Sequence, residues 1–160
     1  MTLYFAYGSN MSRALMRPRC RSAREVGTAV LAGWRFIVMR DGYASIVRDA
    51  GGVVHGLMWR LGPRDLAALN AYERLEQGLY RAVRLPVRMG NHNRNATACV
   101  AALVYIGRSR EPGRPRPGYL DLVLAAARDA GLPAAYVAAL ARWHPSGWRG
   151  ARAPEIGEVT

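Results

Sequence analysis

The hydrophobic positions of this chain follow two different periods. Runs rich in Val, Ile, Trp and Tyr, which favour extended backbone, occupy residues 3–7, 23–39, 43–49, 53–61, 79–89 and 96–106. The pairs Asp41-Gly42 and Gly51-Gly52 interrupt the early runs, and such pairs are typical of hairpin turns. The pattern therefore predicts about six strands, most of them antiparallel neighbours.

Other segments have a helical period. Ser12 is a candidate N-cap for a short helix that Pro18 is expected to end. Pro63 suits the first turn of a second helix, which ends near Glu73. After a loop rich in Arg, Pro and Gly, residues 118–130 and 133–142 predict two more helices, with Gly131 as the stop between them.

These elements predict an α+β fold, a small mixed, mainly antiparallel β-barrel or sheet of about six strands with flanking helices. At 160 residues, the chain has the length of one ordinary domain with one core. We assign residues 1–143 to this domain. Residues 144–160 show no clear period and are expected to form a C-terminal tail.

The formal net charge is +12, and all 23 basic residues are arginines. Clustered cations favour nucleic acids because they release counterions from phosphates. Here the arginines are spread from Arg13 to Arg152, so their distribution does not predict a nucleic-acid partner. A nucleic-acid-associated protein stays open as an alternative, and binding that is insensitive to salt would exclude it.

The chain contains no run of eighteen or more apolar residues, and no basic region precedes its short N-terminal apolar run. We therefore expect neither a membrane span nor a signal peptide, and we expect a cytoplasmic protein. Cys20 and Cys99 have no neighbouring histidines in a ligand pattern, so no metal site is predicted and both are expected to be buried or half-buried.

The segment LYFAYGSNMS, residues 3–12, ends a hydrophobic strand abruptly in Gly8, Ser9 and Asn10. Backbone N–H groups and short polar side chains at such a strand end can bind an anion or an oxyanion. Ser9 as a nucleophile is not favoured, because the second glycine of a nucleophile elbow is missing. None of the three histidines, at positions 55, 92 and 144, is placed to serve as its base.

Glu73 lies where an apolar helix gives way to the loop ERLEQGLY. Partial burial there would raise the pKa of the carboxyl group toward the range that is useful for proton transfer. The alternative is a solvated glutamate paired with Arg74 or Arg81. Spacing alone favours this alternative.

Four segments in order, YFAYGSNMS, VVHGLMWRL, LNAYERLEQGLYRAVRLPV and GYLDLVLAAARDAGLPAAYVAAL, resemble the γ-glutamylcyclotransferase family and its avirulence-induced-gene-2-like relatives. The resemblance covers residues 3–142. It implies release of 5-oxoproline from a γ-glutamyl amino acid, amine or conjugate, by attack of the substrate's α-amine on its own γ-carbonyl. It further implies no cofactor, no metal, a small-molecule γ-glutamyl substrate as partner, and a monomer or homodimer.

The resemblance assigns a role to each matching residue. Glu73 would act as general acid and base, taking a proton from the α-ammonium group and returning one to the departing nitrogen. The residues expected to bind the substrate are Tyr7, Gly8, Ser9, Asn10, Tyr80 and Tyr119. For the last two, the alternative is a core aromatic.

Three positions depart from the family or compete with its pattern. Arg74 follows Glu73 where many members have glycine, Asn70 replaces a common aspartate, and Glu76 is a rival acid. A cation beside the carboxylate would lower its pKa unless it points to solvent. A non-catalytic binding module with the same fold is therefore the second hypothesis.

Overall fold

A computed structural model describes residues 1–73, 77–90 and 99–145 of the chain. Its strands are β1 (Thr2–Ala6), β2 (Arg24–Val38), β3 (Ala44–Leu61), β4 (Tyr80–Met89) and β5 (Cys99–Gly107). Its α-helices are α1 (Arg13–Arg19), α2 (Pro63–Tyr72), α3 (Tyr119–Asp129) and α4 (Ala134–Ala141). A single 3-10 turn, Ser9–Met11, connects β1 to α1.

The strands form a closed barrel in the order β1-β3-β2-β4-β5. Four neighbouring pairs are antiparallel, and the parallel contact of Tyr4 with Leu103 between β1 and β5 closes the barrel. This confirms the α+β class and the mainly antiparallel barrel. The described residues contain five strands where the sequence pattern predicted about six.

The difference arises at Gly51-Gly52, where the predicted hairpin is wrong. Residues 43–49 and 53–61 belong almost entirely to the single 18-residue strand β3. Its register on β2 shifts from Ala32 opposite Val53 to Trp34 opposite Arg48, so β3 bulges around its glycine pair instead of turning. Asp41-Gly42 does form the predicted turn, in which Gly42 has φ +88° and donates to the Met39 carbonyl at 2.8 Å.

Local signals fix the helix ends. The Ser12 hydroxyl caps α1 by accepting from the backbone N–H of Leu15 at 3.3 Å, as predicted. Pro18 does not end this helix, because it lies inside the last turn and α1 continues to Arg19. At the other helices the predictions are confirmed: α2 begins at Pro63, and Gly131, with φ +74°, separates α3 from α4.

The core fills the barrel and the space beneath the helices. Its largest fully buried side chains include Phe5, Leu31, Ile46, Leu57, Met58 and Leu120. Cys20 is buried as expected. Cys99, the first residue of β5, is exposed, so the expectation that it would be buried or half-buried is wrong. No described helix is long and apolar enough to cross a membrane. Of the predicted C-terminal tail, residues 146–160 lie outside the described residues.

Candidate active site

A cavity of about 130 Å³ opens at the end of β1. All seven residues that the sequence analysis selected line it: Tyr7, Gly8, Ser9, Asn10, Glu73, Tyr80 and Tyr119. The sequence analysis missed six other lining residues, which are Tyr4, Tyr43, Ala44, Tyr72, Leu79 and Tyr105. The walls are thus mainly aromatic, and among the described lining residues Glu73 is the one that carries a carboxyl group.

The loop after β1 is a tight turn. The N–H of Met11 donates to the Gly8 carbonyl at 3.1 Å, and the N–H of Ser12 donates to the Ser9 carbonyl at 2.9 Å. Since the N–H groups that begin a helical turn have no acceptor within the turn, those of residues 8–10 are left to other acceptors. The binding of oxygen atoms by these N–H groups stays a prediction.

Gly8 allows two neighbouring elements to approach this loop closely. A Cβ atom at Gly8 would lie 3.2 Å from the Ala44 Cβ and 3.2 Å from the Tyr119 hydroxyl oxygen. That hydroxyl also accepts a hydrogen bond from the backbone N–H of Ala44 at 3.2 Å. A larger residue at position 8 would therefore press on the cavity wall.

Glu73 follows the last residue of α2, where its backbone N–H donates to the Leu69 carbonyl at 2.8 Å. The residue is half-buried, and its Oε1 accepts a hydrogen bond from Asn10 Nδ2 at 2.8 Å. Burial raises the pKa of this carboxyl group to about 7, although the Arg19 charge and the Asn10 hydrogen bond act in the opposite direction. Glu73 can therefore exchange a proton near neutral pH.

Asn10 connects the turn to the acid. Its side chain is buried, and its Nδ2 also donates to the Tyr4 hydroxyl at 3.0 Å. Its Oδ1 accepts a hydrogen bond from Arg19 on α1. The Arg19 guanidinium also lies over the Tyr72 ring, 3.3 Å from the ring centroid. Sequence reasoning did not single out Arg19, because nothing in its spacing distinguishes it from the other arginines.

Tyrosine hydroxyls hold the walls of the cavity together. Tyr80 donates to the Ala44 carbonyl at 2.6 Å, and Tyr7 donates to the Tyr105 carbonyl at 2.5 Å. Burial raises the pKa of Tyr119 to about 12, and it raises the pKa of Tyr80 still further. These hydroxyls are therefore neutral at physiological pH and act as hydrogen-bonding groups.

Asn70, which departs from the family pattern, lies behind the cavity rather than in its lining. It accepts a hydrogen bond from the Tyr105 hydroxyl at 2.6 Å. Its carboxamide thus supports one of the tyrosines that the sequence analysis missed. The aromatic wall depends on this contact between α2 and β5.

The other candidates lie elsewhere. His55 packs against the Tyr136 ring, with 4.7 Å between the ring centroids, and His144 contacts Asp121 at 3.1 Å. Neither histidine lines the cavity. Arg74, Glu76 and His92 lie outside the described residues. Within the described part of the chain, no group of three His, Cys, Asp or Glu residues could hold a metal ion.

Glu73 is not a solvated residue paired with Arg81. Its carboxyl group lines the cavity and is bonded to Asn10, whereas Arg81 is exposed on β4. The partly buried environment, which spacing alone did not favour, is the one present.

Comparisons with known proteins show which sequences this chain resembles. The model of the AIG2-like family matches residues 53–140. The chain is 26% identical to "Gamma-glutamylcyclotransferase" of Homo sapiens over 98% of its own length and 86% of that protein, and 25% identical to the Mus musculus protein of the same name over the same shares.

Solved structures show the same fold. One named "Gamma-glutamyl cyclotransferase" superposes with a TM-score of 0.81 at 24% identity, covering 97% of this chain and 95% of that one. YkqA from Bacillus subtilis superposes with a TM-score of 0.73 at 25% identity, covering 88% of this chain and 53% of that one. Because the family model matches more than half of the chain, the protein belongs to the AIG2-like family.

Proposed function

We propose that this protein is a γ-glutamylcyclotransferase-type enzyme that releases 5-oxoproline from a γ-glutamyl amino acid, amine or related conjugate. The observation that carries the proposal is the position of Glu73. Its carboxyl group has a pKa of about 7 and is hydrogen-bonded to Asn10 of the YGSN turn inside an aromatic cavity. Similarity along nearly the whole chain to proteins named γ-glutamylcyclotransferase supports the same reaction class.

The reaction needs little from the protein apart from positioning and proton transfer. The nucleophile and the electrophile belong to one substrate, so ring closure requires that the chain be held in a folded conformation. The α-ammonium group of the substrate must first lose a proton, because only the free amine is a nucleophile. A base with a pKa of about 7 is well matched to this transfer.

Glu73 serves in both proton transfers. Its carboxylate takes a proton from the α-ammonium group, and the free amine then forms a C–N bond to the γ-carbonyl carbon. The protonated Glu73 returns a proton to the departing nitrogen as the original amide C–N bond breaks. The attacking nitrogen also gives up its second proton, which the departing amine takes up as an ammonium group, so the products are 5-oxoproline and the protonated amine, and no water, metal or cofactor is consumed.

The YGSN turn binds the γ-glutamyl group. Backbone N–H groups at residues 8–10 donate to its oxygen atoms and stabilise negative charge that develops on the carbonyl oxygen. Tyr80 and Tyr119, neutral and fixed to Ala44, shape the wall that excludes water. Ser9 is then a hydrogen-bonding residue and not a nucleophile.

The test is mass-spectrometric detection of 5-oxoproline from a panel of γ-glutamyl dipeptides, γ-glutamyl amines and glutathione. We expect at least one member to release 5-oxoproline together with an equal amount of free amine. The panel member that reacts identifies the leaving group. Stabilisation of the fold by panel members without turnover of any would overturn the proposal in favour of a binding module.

A further inference from the structure

The oxygen end of the Asn10 carboxamide faces a cation, and its nitrogen end faces hydrogen-bond acceptors. Its Oδ1 accepts from the guanidinium of Arg19, while its Nδ2 donates to Glu73 Oε1 at 2.8 Å and to the Tyr4 hydroxyl at 3.0 Å. A guanidinium carries donors and no acceptor, so only the oxygen end of the amide can face it. The contact with Arg19 therefore determines which end of Asn10 faces the acid.

Arg19 is itself held in place. It is the last residue of α1 and is half-buried, and its guanidinium carbon lies over the Tyr72 ring, 3.3 Å from the centroid. Tyr72 immediately precedes Glu73 at the end of α2. The arginine thus bridges the two helices beside the acid without lining the cavity.

We propose that Arg19 is a positioning residue which acts through Asn10: it holds the carboxamide with its N–H toward Glu73 and thereby keeps the acid able to ionise. The catalytic consequence of this inference rests on the proposed function. The effect of Arg19 on the ionisation of Glu73 does not depend on that function.

The physical reason lies in what the amide can do without its partner. If Arg19 is removed, the Asn10 carboxamide is free to turn over and place Oδ1 against the acid. A carbonyl oxygen accepts a hydrogen bond from a protonated carboxyl group but repels a carboxylate. Loss of Arg19 therefore favours the protonated form of Glu73 twice, through the reversed amide and through the lost positive charge.

Among the described residues, the other titratable groups that act electrostatically with Glu73 are tyrosines. They are Tyr4 of β1, Tyr7 just after β1, Tyr80 of β4, Tyr105 of β5 and Tyr119 of α3. Burial raises the pKa of each, so all are neutral when Glu73 titrates. Among the described residues, Arg19 is the cation recorded as favouring the ionised form of Glu73.

The test is a ¹³C NMR titration of the Glu73 side-chain carboxyl group in the wild type, Arg19→Gln and Arg17→Gln. Arg17 is a matched control because it lies on the same helix, carries the same charge and is exposed. We expect Arg19→Gln to move the midpoint upward by about one pH unit. Arg17→Gln should leave it in place, and equal midpoints in all three proteins would overturn the proposal.

A double-mutant cycle separates the amide from the charge. In the Asn10→Ala background no carboxamide remains to be oriented, so we expect Arg19→Gln to move the Glu73 midpoint by clearly less than it does in the wild type. An equal movement in both backgrounds would mean that Arg19 acts by charge alone, which contradicts the route through Asn10. If Arg19→Gln does not fold, Arg19→Lys replaces it throughout, with a smaller upward movement expected.

Activity supplies a second readout. In the pH profile of kcat/KM for 5-oxoproline release, we expect the rising limb of Arg19→Gln to move to higher pH by as much as the NMR midpoint does. At pH 6 this corresponds to a loss of about tenfold in kcat/KM. KM should change little. If KM rises and the rising limb of the pH profile stays in place, Arg19 contacts the substrate, which contradicts the proposed positioning role. If the wild type releases no 5-oxoproline, the proposed function fails, while the NMR titration still decides the role of Arg19.

Discussion

At the scale of single residues, Glu73 is held where ionisation is unfavourable. Its pKa of about 7 in the folded protein exceeds the ordinary 4.5, so between these values the folded protein binds a proton that the unfolded chain has lost. Unfolding then releases a proton, and the free energy of unfolding falls as the pH rises from 4.5 to 7. Above pH 7 the free energy of unfolding is lower by the full cost of keeping the buried carboxylate ionised.

Replacing Glu73 by Gln removes this cost, so we expect Glu73→Gln to be more stable than the wild type at pH 8 and similar to it at pH 4.5. The gain has an upper limit of about 3.5 kcal/mol, since each unit of pKa difference corresponds to about 1.4 kcal/mol. Urea denaturation at the two pH values measures it. A Glu73→Gln variant that is no more stable at pH 8 would show that the carboxylate is well solvated.

Glu25 is a control residue, because the pKa of its carboxyl group is shifted in the opposite direction. Its hydrogen bonds to Arg13, at 2.6 and 2.7 Å, lower the pKa of its carboxyl group. This glutamate therefore contributes stability above its unfolded pKa, and the contribution is lost as the pH falls through the folded value. Glu25→Gln should be slightly less stable than the wild type at pH 8.

Gly8 gives a second prediction at this scale. The Cβ of Gly8→Ala would lie within 3.2 Å of both Ala44 and the Tyr119 hydroxyl, so the cavity wall must shift by a few tenths of an ångström. Because catalysis depends on positioning at this level, kcat/KM should fall roughly tenfold or more. Gly51→Ala, whose Cβ meets nothing within 4 Å, is the matched control and should retain full activity. Equal activity of the two variants would contradict the assigned role of the turn.

The abrupt strand end in the sequence already indicated the turn at Gly8, Ser9 and Asn10. Glu73 was selected only through a family resemblance, because local spacing favoured a solvated glutamate. Arg19 could not be selected in this way. Its importance comes from contacts with Asn10 and Tyr72, and the second of these lies more than fifty positions away along the chain. Such a contact leaves no periodic signal in the sequence.

At the scale of elements, the glycine pair in β3 shows why one local signal misled. A Cβ atom at Gly52 would lie 2.9 Å from the Trp34 carbonyl carbon and still closer to its oxygen. Gly52 is therefore needed for close approach of the two strands, not for a turn. The requirement comes from the neighbouring strand, which is distant in the sequence, so no local pattern reveals it. The helix ends at Ser12 and Gly131 depend on residues that are close in the sequence, and they were therefore predictable.

This difference predicts unequal effects of two adjacent substitutions. Gly52→Ala should destabilise the fold by about 1–3 kcal/mol, because the strands must separate at the bulge to admit the methyl group. Gly51→Ala, with open space around its Cβ, should change stability by less than about 0.5 kcal/mol. Thermal or urea denaturation compares them. Equal losses would mean that the bulge does not depend on Gly52.

At the scale of the whole molecule, barrel closure assembles the cavity. The pairing of β1 with β3 on one side and β5 on the other brings the YGSN turn beside residues from α2, β4, β5 and α3. Strand periodicity predicted most of the antiparallel strands, but the parallel contact between Tyr4 and Leu103 joins distant parts of the chain and has no local signature. The fold class was therefore predictable, while the full lining of the cavity was not.

Our main proposal is that Glu73 carries the proton transfers of 5-oxoproline formation. It is tested most directly by the rate of 5-oxoproline release from the best substrate of the panel, with wild type, Glu73→Gln and Glu25→Gln compared at pH 8. We expect a loss of about 10²–10⁴-fold for Glu73→Gln, with the fold intact and Glu25→Gln as active as the wild type. Turnover by Glu73→Gln at the wild-type rate would contradict it.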